Sequence, residues 1–238
     1  MNAEKHNLIY GRNPVKEAIK KGIVLKLFLT TNFKNHTILD LLNNPKFDIQ
    51  YISNAEMNNL ATGANQGVAA YIKNIEYYSL ESVIQLSKKE TNPIILMLDG
   101  INDPHNFGAI IRCADVFGVK GIIISKHNQV PLNATVAKTS AGAINYVPIC
   151  MVNNLNSAIQ TLKDNGFWIV SSDGSASSSY LDLKYDFPTC LIIGSEGFGV
   201  SKLVLKNSDY VVKIPQYGQV NSLNASVACG ILLAGIKR

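Results

Sequence analysis

From residue 93 onward the chain is patterned as short, uninterrupted apolar runs separated by helix-like stretches: residues 94–98, 121–124, 147–149, 167–170, 190–193 and 210–214. A strand buried on both faces shows no alternation of polar and apolar positions, so runs of this kind predict a parallel sheet covered on both sides by helices. The upstream pattern is different. Asn13 is a candidate N-cap and Pro14 a first helical residue for a helix running to Lys21. Residues 24–30, 49–52 and 68–72 read as strands and 35–43 as a helix, which makes a small α/β unit. Between Asn74 and Asn92 no strand signal occurs, while Leu80, Val83, Ile84 and Ser87 recur at helical spacing until Asn92-Pro93 stops them. The expected organisation is a domain over 1–74, a linker over 75–92 and an α/β domain over 93–238.

Composition narrows the class. The chain has 238 residues, 47% of them apolar, as in an ordinary globular protein. No apolar run reaches the roughly 20 residues of a membrane-spanning helix, and Met1-Asn2-Ala3-Glu4-Lys5-His6 lacks the apolar core of a signal peptide, so a cytoplasmic protein is expected. Cys113, Cys150, Cys190 and Cys229 are far apart, with no C-x-x-C pair and no histidine at zinc-ligand spacing. Neither a metal nor a disulfide framework is indicated, and buried free thiols are expected.

The net charge is +5, and its distribution is uneven. Residues 1–36 hold Lys5, Arg12, Lys16, Lys20, Lys21, Lys26 and Lys34 against Glu4 and Glu17. A cluster of this sign attracts phosphates at long range and suits an RNA partner; a solvated helix face is the alternative.

Three segments carry candidate chemistry. Asn102-Asp103-Pro104-His105-Asn106 follows a predicted strand, where open α/β sheets place ligand-binding loops, and Asn106 can cap the following helix. On that helix Ile110, Ala114 and Phe117 form an apolar face, with Arg112 on the flank. An arginine fork donates two parallel hydrogen bonds to phosphate; alone on a helix it is more often structural. Gly194-Ser195-Glu196-Gly197-Phe198-Gly199 leaves another predicted strand, and its glycines permit positive φ and close backbone approach to a ligand. It has neither the G-x-G-x-x-G spacing nor a P-loop ending, and the missing early fingerprint counts against a nicotinamide oxidoreductase. Finally, Ile214-Pro215 leads into Asn221-Ser222-Leu223-Asn224-Ala225-Ser226-Val227-Ala228, where Asn221 or Ser222 can cap a last helix rich in small residues. A buried C-terminal helix would explain the small residues, though not the polar positions before them.

In this order and spacing the three segments resemble the motifs of the SpoU family of RNA ribose 2'-O-methyltransferases, and Leu132-Asn133-Ala134-Thr135 extends the match. Ile9-Tyr10-Gly11-Arg12-Asn13-Pro14-Val15 with Gln66-Gly67-Val68 resembles the RNA-binding domain of the bacterial subgroup that methylates a guanosine of 23S ribosomal RNA. The resemblance implies an α/β fold with a deep trefoil knot in the C-terminal domain, an N-terminal RNA substrate-binding domain, a homodimer, and S-adenosylmethionine as cofactor. It implies that Gly194, Ile214 and Leu223 contact the cofactor with Gly197, Gln216 and Ser222 nearby, and that Asn106, Arg112, Glu196, Ser222 and Asn224 form the catalytic centre. Gln216 stands where the family often has methionine, and Asn221 where it often has a second serine. Motifs shared across the family specify the reaction and not the target. Transfer RNA therefore stays open as substrate, as does a non-catalytic RNA-binding assembly factor.

Overall fold

The computed structural model describes residues 7–73, 76–219 and 222–238. By packing the chain divides into two units, Met1–Glu76 with Leu132–Asn145, and Tyr77–Pro131 with Tyr146–Arg238.

The first unit is a four-stranded sheet of β1 (Asn7–Tyr10), β2 (Val24–Thr30), β3 (Asp48–Ile52) and β4 (Val68–Ile72), in the order β1-β4-β2-β3. β4 is antiparallel to both its neighbours, and β2 and β3 are parallel. Its helices are α1 (Arg12–Lys20), α2 (His36–Leu39, extended by a 3-10 turn) and α3 (Asn54–Leu60). Next along the chain, α4 (Leu80–Ser87) and α5 (Pro104–Val116) belong to the second unit, and α6 (Ala134–Thr139) returns to the first, where it lies against β1.

The start of α1 differs from the expectation. The helix begins at Arg12, and its cap is Gly11 at φ +95, a backbone conformation that asparagine adopts only at a cost. Asn13 therefore does not cap. The exposed N–H of Arg12 is instead taken by Gln66 Oε1 at 2.8 Å. α3 carries a reciprocal cap that the apolar pattern does not reveal: Ser53 Oγ accepts from the Glu56 N–H at 3.2 Å, and Glu56 returns a carboxylate oxygen to the Ser53 N–H at 2.8 Å.

The second unit is an all-parallel sheet of seven strands: β5 (Ile94–Asp99), β6 (Gly121–Ser125), β7 (Ile149–Val152), β8 (Trp168–Ser172), β9 (Ser178–Ser179), β10 (Thr189–Gly194) and β11 (Tyr210–Lys213). The order is β7-β6-β5-β10-β8-β11-β9. Besides α4 and α5 its helices are α7 (Leu155–Asp164), α8 (Lys202–Lys206) and α9 (Ala225–Ile236). The parallel sheet expected from the unbroken apolar runs is present, with Ile95, Met97, Ile123, Ile169 and Ile192 fully buried. One local difference has a simple cause: β7 begins at Ile149 rather than at 147 because Pro148 has no N–H to give the ladder. The serine-rich stretch 171–179 contains the end of β8 and all of β9.

Three helices frame the carboxyl edge of the sheet and its packing. α4 packs on the sheet through Val83 and Ile84, and Gly121 leaves room for Val83, whose methyl would collide with any side chain there. α5 is capped by Asp103, whose Oδ1 accepts from the His105 N–H at 2.9 Å, with Pro104 at the first helical position. α9 is capped by Asn224, whose Oδ1 accepts from Ser226 N–H at 3.0 Å and Val227 N–H at 3.3 Å. Asn106 and Ser222 are thus not caps, and Asn221 lies outside the described residues. No helix among the described residues is long and apolar enough to cross a membrane. Among those residues no group of three His, Cys, Asp or Glu could hold a metal.

Candidate active site

Parallel strands place their carboxyl ends at one edge of a sheet, where loops gather to form sites. Here β5, β10, β8 and β11 end at Asp99, Gly194, Ser172 and Lys213, and the segments beyond them converge. The loop after β10 is a closed turn. Ser195 and Gly199 exchange both backbone hydrogen bonds, at 3.2 and 2.9 Å, and the Ser201 N–H donates to Asp99 Oδ2 at 2.8 Å, tying the turn to the end of β5.

The glycines of this turn serve different ends. A Cβ on Gly194 would run into the backbone of Gly199 and Val200, so that position admits glycine only. Gly199 is at φ +65, and a Cβ on Gly197 would meet nothing within 4 Å. Of the three, positive φ applies to Gly199 alone.

Asn106, Glu196 and Asn224 come together in one hydrogen-bond cluster although they are 28 to 118 residues apart. Asn106 Nδ2 donates to Glu196 Oε1 at 2.9 Å, Asn224 Nδ2 donates to Asn106 Oδ1 at 2.8 Å and to the same Glu196 oxygen, and the Ala225 N–H reaches that oxygen at 3.3 Å. Three donors therefore hold Oε1, while Oε2 has no partner among the described residues. A carboxylate fixed by one oxygen and open at the other is a positioned acceptor.

Beside this cluster lies a cavity of about 210 Å3. Of the six residues that the sequence puts at or near a cofactor, Gly194, Ile214, Gln216, Ser222 and Leu223 line it. Gly197 does not; it lines a neighbouring cavity on the other side of Glu196. Asp173, just past the end of β8, also lines the first cavity and was missed in the sequence. Its Oδ1 accepts from the Ser175 N–H at 2.7 Å, and its Oδ2 has no partner among the described residues. The signal that could have found it was a carboxylate at a strand's carboxyl end.

Arg112 is placed apart from the cluster. It is exposed, lines neither cavity, and has no hydrogen bond or ion pair among the described residues. Six residues along α5 turn it by about 120° from Asn106. Within one chain the structure therefore unites three of the five residues expected to be catalytic, sets Ser222 in the wall of the adjoining cavity, and leaves Arg112 outside.

Two sequence profiles match the chain. One, described as the SpoU rRNA Methylase family, covers residues 93–234, and the other, described as RNA 2'-O ribose methyltransferase substrate binding, covers residues 8–78. The chain belongs to the SpoU family. A Staphylococcus haemolyticus protein named for the TrmH family of tRNA/rRNA methyltransferases is 42% identical over 97% of this chain and 95% of its own. The SpoU methyltransferase AviRb of Streptomyces viridochromogenes has the same fold, with a TM-score of 0.83 at 23% identity over 98% of this chain and 88% of that one. Its complex with AdoMet superposes with a TM-score of 0.80 at 22% identity, covering 97% and 88%. This SpoU chain is an RNA methyltransferase, and its methyl donor is S-adenosylmethionine.

The cavity suits that donor. Ile193, Ile214, Leu223 and Ala228 offer apolar surface to an adenine ring, while the Asp173 carboxylate can accept from ribose hydroxyls or an ammonium group.

Proposed function

We propose that this chain methylates the ribose 2'-hydroxyl of a guanosine in 23S ribosomal RNA. The single observation that carries the reaction type is the Asn106–Glu196–Asn224 cluster at the rim of the cofactor cavity, with one carboxylate oxygen fixed and the other open. A profile described as an RNA 2'-O ribose methyltransferase substrate-binding domain over residues 8–78 supports an N-terminal RNA-binding domain and a ribose target.

In this reading Gly194, Ile214, Gln216, Ser222 and Leu223 hold S-adenosylmethionine, which supplies an electrophilic methyl group on sulfur. The 2'-hydroxyl is a poor nucleophile and must lose its proton as it attacks. Glu196 Oε2 accepts the hydroxyl hydrogen bond and takes its proton as the oxygen attacks, and Asn106 and Asn224 fix the carboxylate so that little reorganisation is needed during reaction. Arg112, whose guanidinium offers a fork of donors and no acceptor, clamps an RNA phosphate rather than abstracting a proton.

The exposed setting of Arg112 fits a homodimer in which it crosses to the partner's site. A deep trefoil knot fits the packing at the carboxyl edge of the sheet: the backbone of Gly199 and Val200 closes against Gly194, and α9 packs on α5. We infer a cytoplasmic location, where ribosomal RNA is found.

The test is methylation of unmodified 23S RNA and of transfer RNA by the purified protein, with the modified nucleotide mapped. Modification of one 23S guanosine is the expected result. Modification of transfer RNA alone would move the target, and S-adenosylmethionine binding with no transfer to either RNA would favour an assembly factor.

A further inference from the structure

Two cavities meet at Glu196. The first is the cofactor cavity, and the second, of about 270 Å3, is lined by Asn102, Asp103, Asn106, Gly197 and Phe198; both share Ser195, Glu196 and Ala225 as a common wall. Phe198 projects almost wholly into solvent, 96% exposed, two residues beyond Glu196.

We propose that the second cavity receives the target nucleoside, with Phe198 as the stacking face for its base; this rests on the ribose-methylation reading. A phenylalanine this exposed contributes nothing to the folded core, yet its position is fixed. Ser195 and Gly199 close the turn with paired backbone hydrogen bonds, the Phe198 N–H donates to Ser195 Oγ at 3.2 Å, and Asp99 anchors the chain just beyond. Gly197 leaves the space beside the ring open, since a side chain there would meet nothing within 4 Å. Aromatic rings held at the rim of a polar site serve RNA by stacking on splayed-out bases, whose flat faces need no particular hydrogen-bonding pattern.

The remaining walls suit the rest of a nucleoside. Asn102 makes no side-chain hydrogen bond among the described residues, and its amide can both donate to and accept from a base edge. Glu196 lies in the wall shared with the cofactor cavity and Asn106 donates to it from the second cavity, which sets the ribose against the wall that faces the methyl donor.

The experiment uses the full chain, bulk RNA from cells lacking the protein, and S-adenosylmethionine labelled in its methyl group. Phe198→Ala is expected to raise KM for RNA about tenfold, and Phe198→Trp to restore it to within about twofold, because stacking needs a flat ring and not phenylalanine itself. Binding of S-adenosylmethionine, read by calorimetry, is expected to be unchanged in both variants. Wild-type transfer with an unaltered KM in Phe198→Ala would overturn this proposal alone. So would sedimentation showing that Phe198→Ala breaks an oligomer, because the ring would then be covered by a second copy. Absence of transfer by wild-type protein would instead sink the underlying functional reading, and this proposal with it.

Discussion

Asn224 and Glu196 are joined by a hydrogen bond from the asparagine amide to one carboxylate oxygen, while the other end of the same asparagine caps α9. One side chain thus anchors both a helix and the Glu196 carboxylate beside the cavity, and the two jobs use different atoms. Asn224→Asp keeps the capping oxygen but puts a second carboxylate against Glu196. We expect it to unfold within about 1 kcal/mol of wild type, with methyl transfer reduced at least about a hundredfold. Asn224→Ala loses the cap as well and is expected to cost about 1 kcal/mol of stability in addition to activity. Denaturant unfolding beside a transfer assay separates the two effects.

Gly194 and Gly197 make a matched pair of controls. Gly194→Ala drives a methyl group into the Gly199–Val200 backbone and is expected to cost about 3 kcal/mol or more, with loss of S-adenosylmethionine binding. Gly197→Ala meets open space and is expected to leave the thermal unfolding midpoint within a few degrees of wild type. Calorimetric scans of the two variants check both.

If Arg112 serves the partner's site in a homodimer, two dead variants should rescue one another. Arg112→Ala mixed with Asn224→Ala, after dissociation and reassociation, is expected to recover about a quarter of wild-type activity, since half the dimers are mixed and each of those has one intact site. No recovery would put Arg112 to work within its own chain.

Thiol reactivity tracks burial. Burial pushes the Cys150 thiol up to about 11, and drives Cys190 and Cys229 higher still; Cys113 is raised by the same cause, with Arg112 pulling against it. A raised thiol pKa means less thiolate at a given pH, and thiolate is the reactive form. At pH 8 alkylation of the folded protein is expected to modify Cys113 alone, with the three buried thiols reacting only after unfolding, as read by mass spectrometry. Cys113 is half-buried rather than fully enclosed, a difference from the sequence expectation.

The central strands of the second unit were legible because burial on both faces writes itself as unbroken apolar runs, as in β5 and β10; β2 and β4 also have the bounds that their residues imply, while β1 and the two-residue β9 carry no such run. Caps were legible in kind but not in place. Asn13, Asn106 and Ser222 are sound capping residues, yet Gly11, Asp103 and Asn224 do the capping, because tertiary contacts decide which of several neighbours ends the loop. The site was readable where motif residues share one chain's fold, as with Asn106, Glu196 and Asn224. Asp173 and Phe198 escaped because a lone carboxylate in a serine-rich loop and a lone aromatic in a glycine turn carry no pattern until the cavities beside them are seen.

Ribose methylation beside Glu196 is best checked through the chemical nature of the product. Purified protein would be incubated with S-adenosylmethionine carrying a labelled methyl group and with unmodified 23S RNA, and the RNA digested to nucleosides and separated. Label is expected in 2'-O-methylguanosine with wild-type protein, and almost none with Asn224→Asp. Label on a base atom, or undiminished label with Asn224→Asp, would contradict both the ribose target and the role of the Asn106–Glu196–Asn224 cluster.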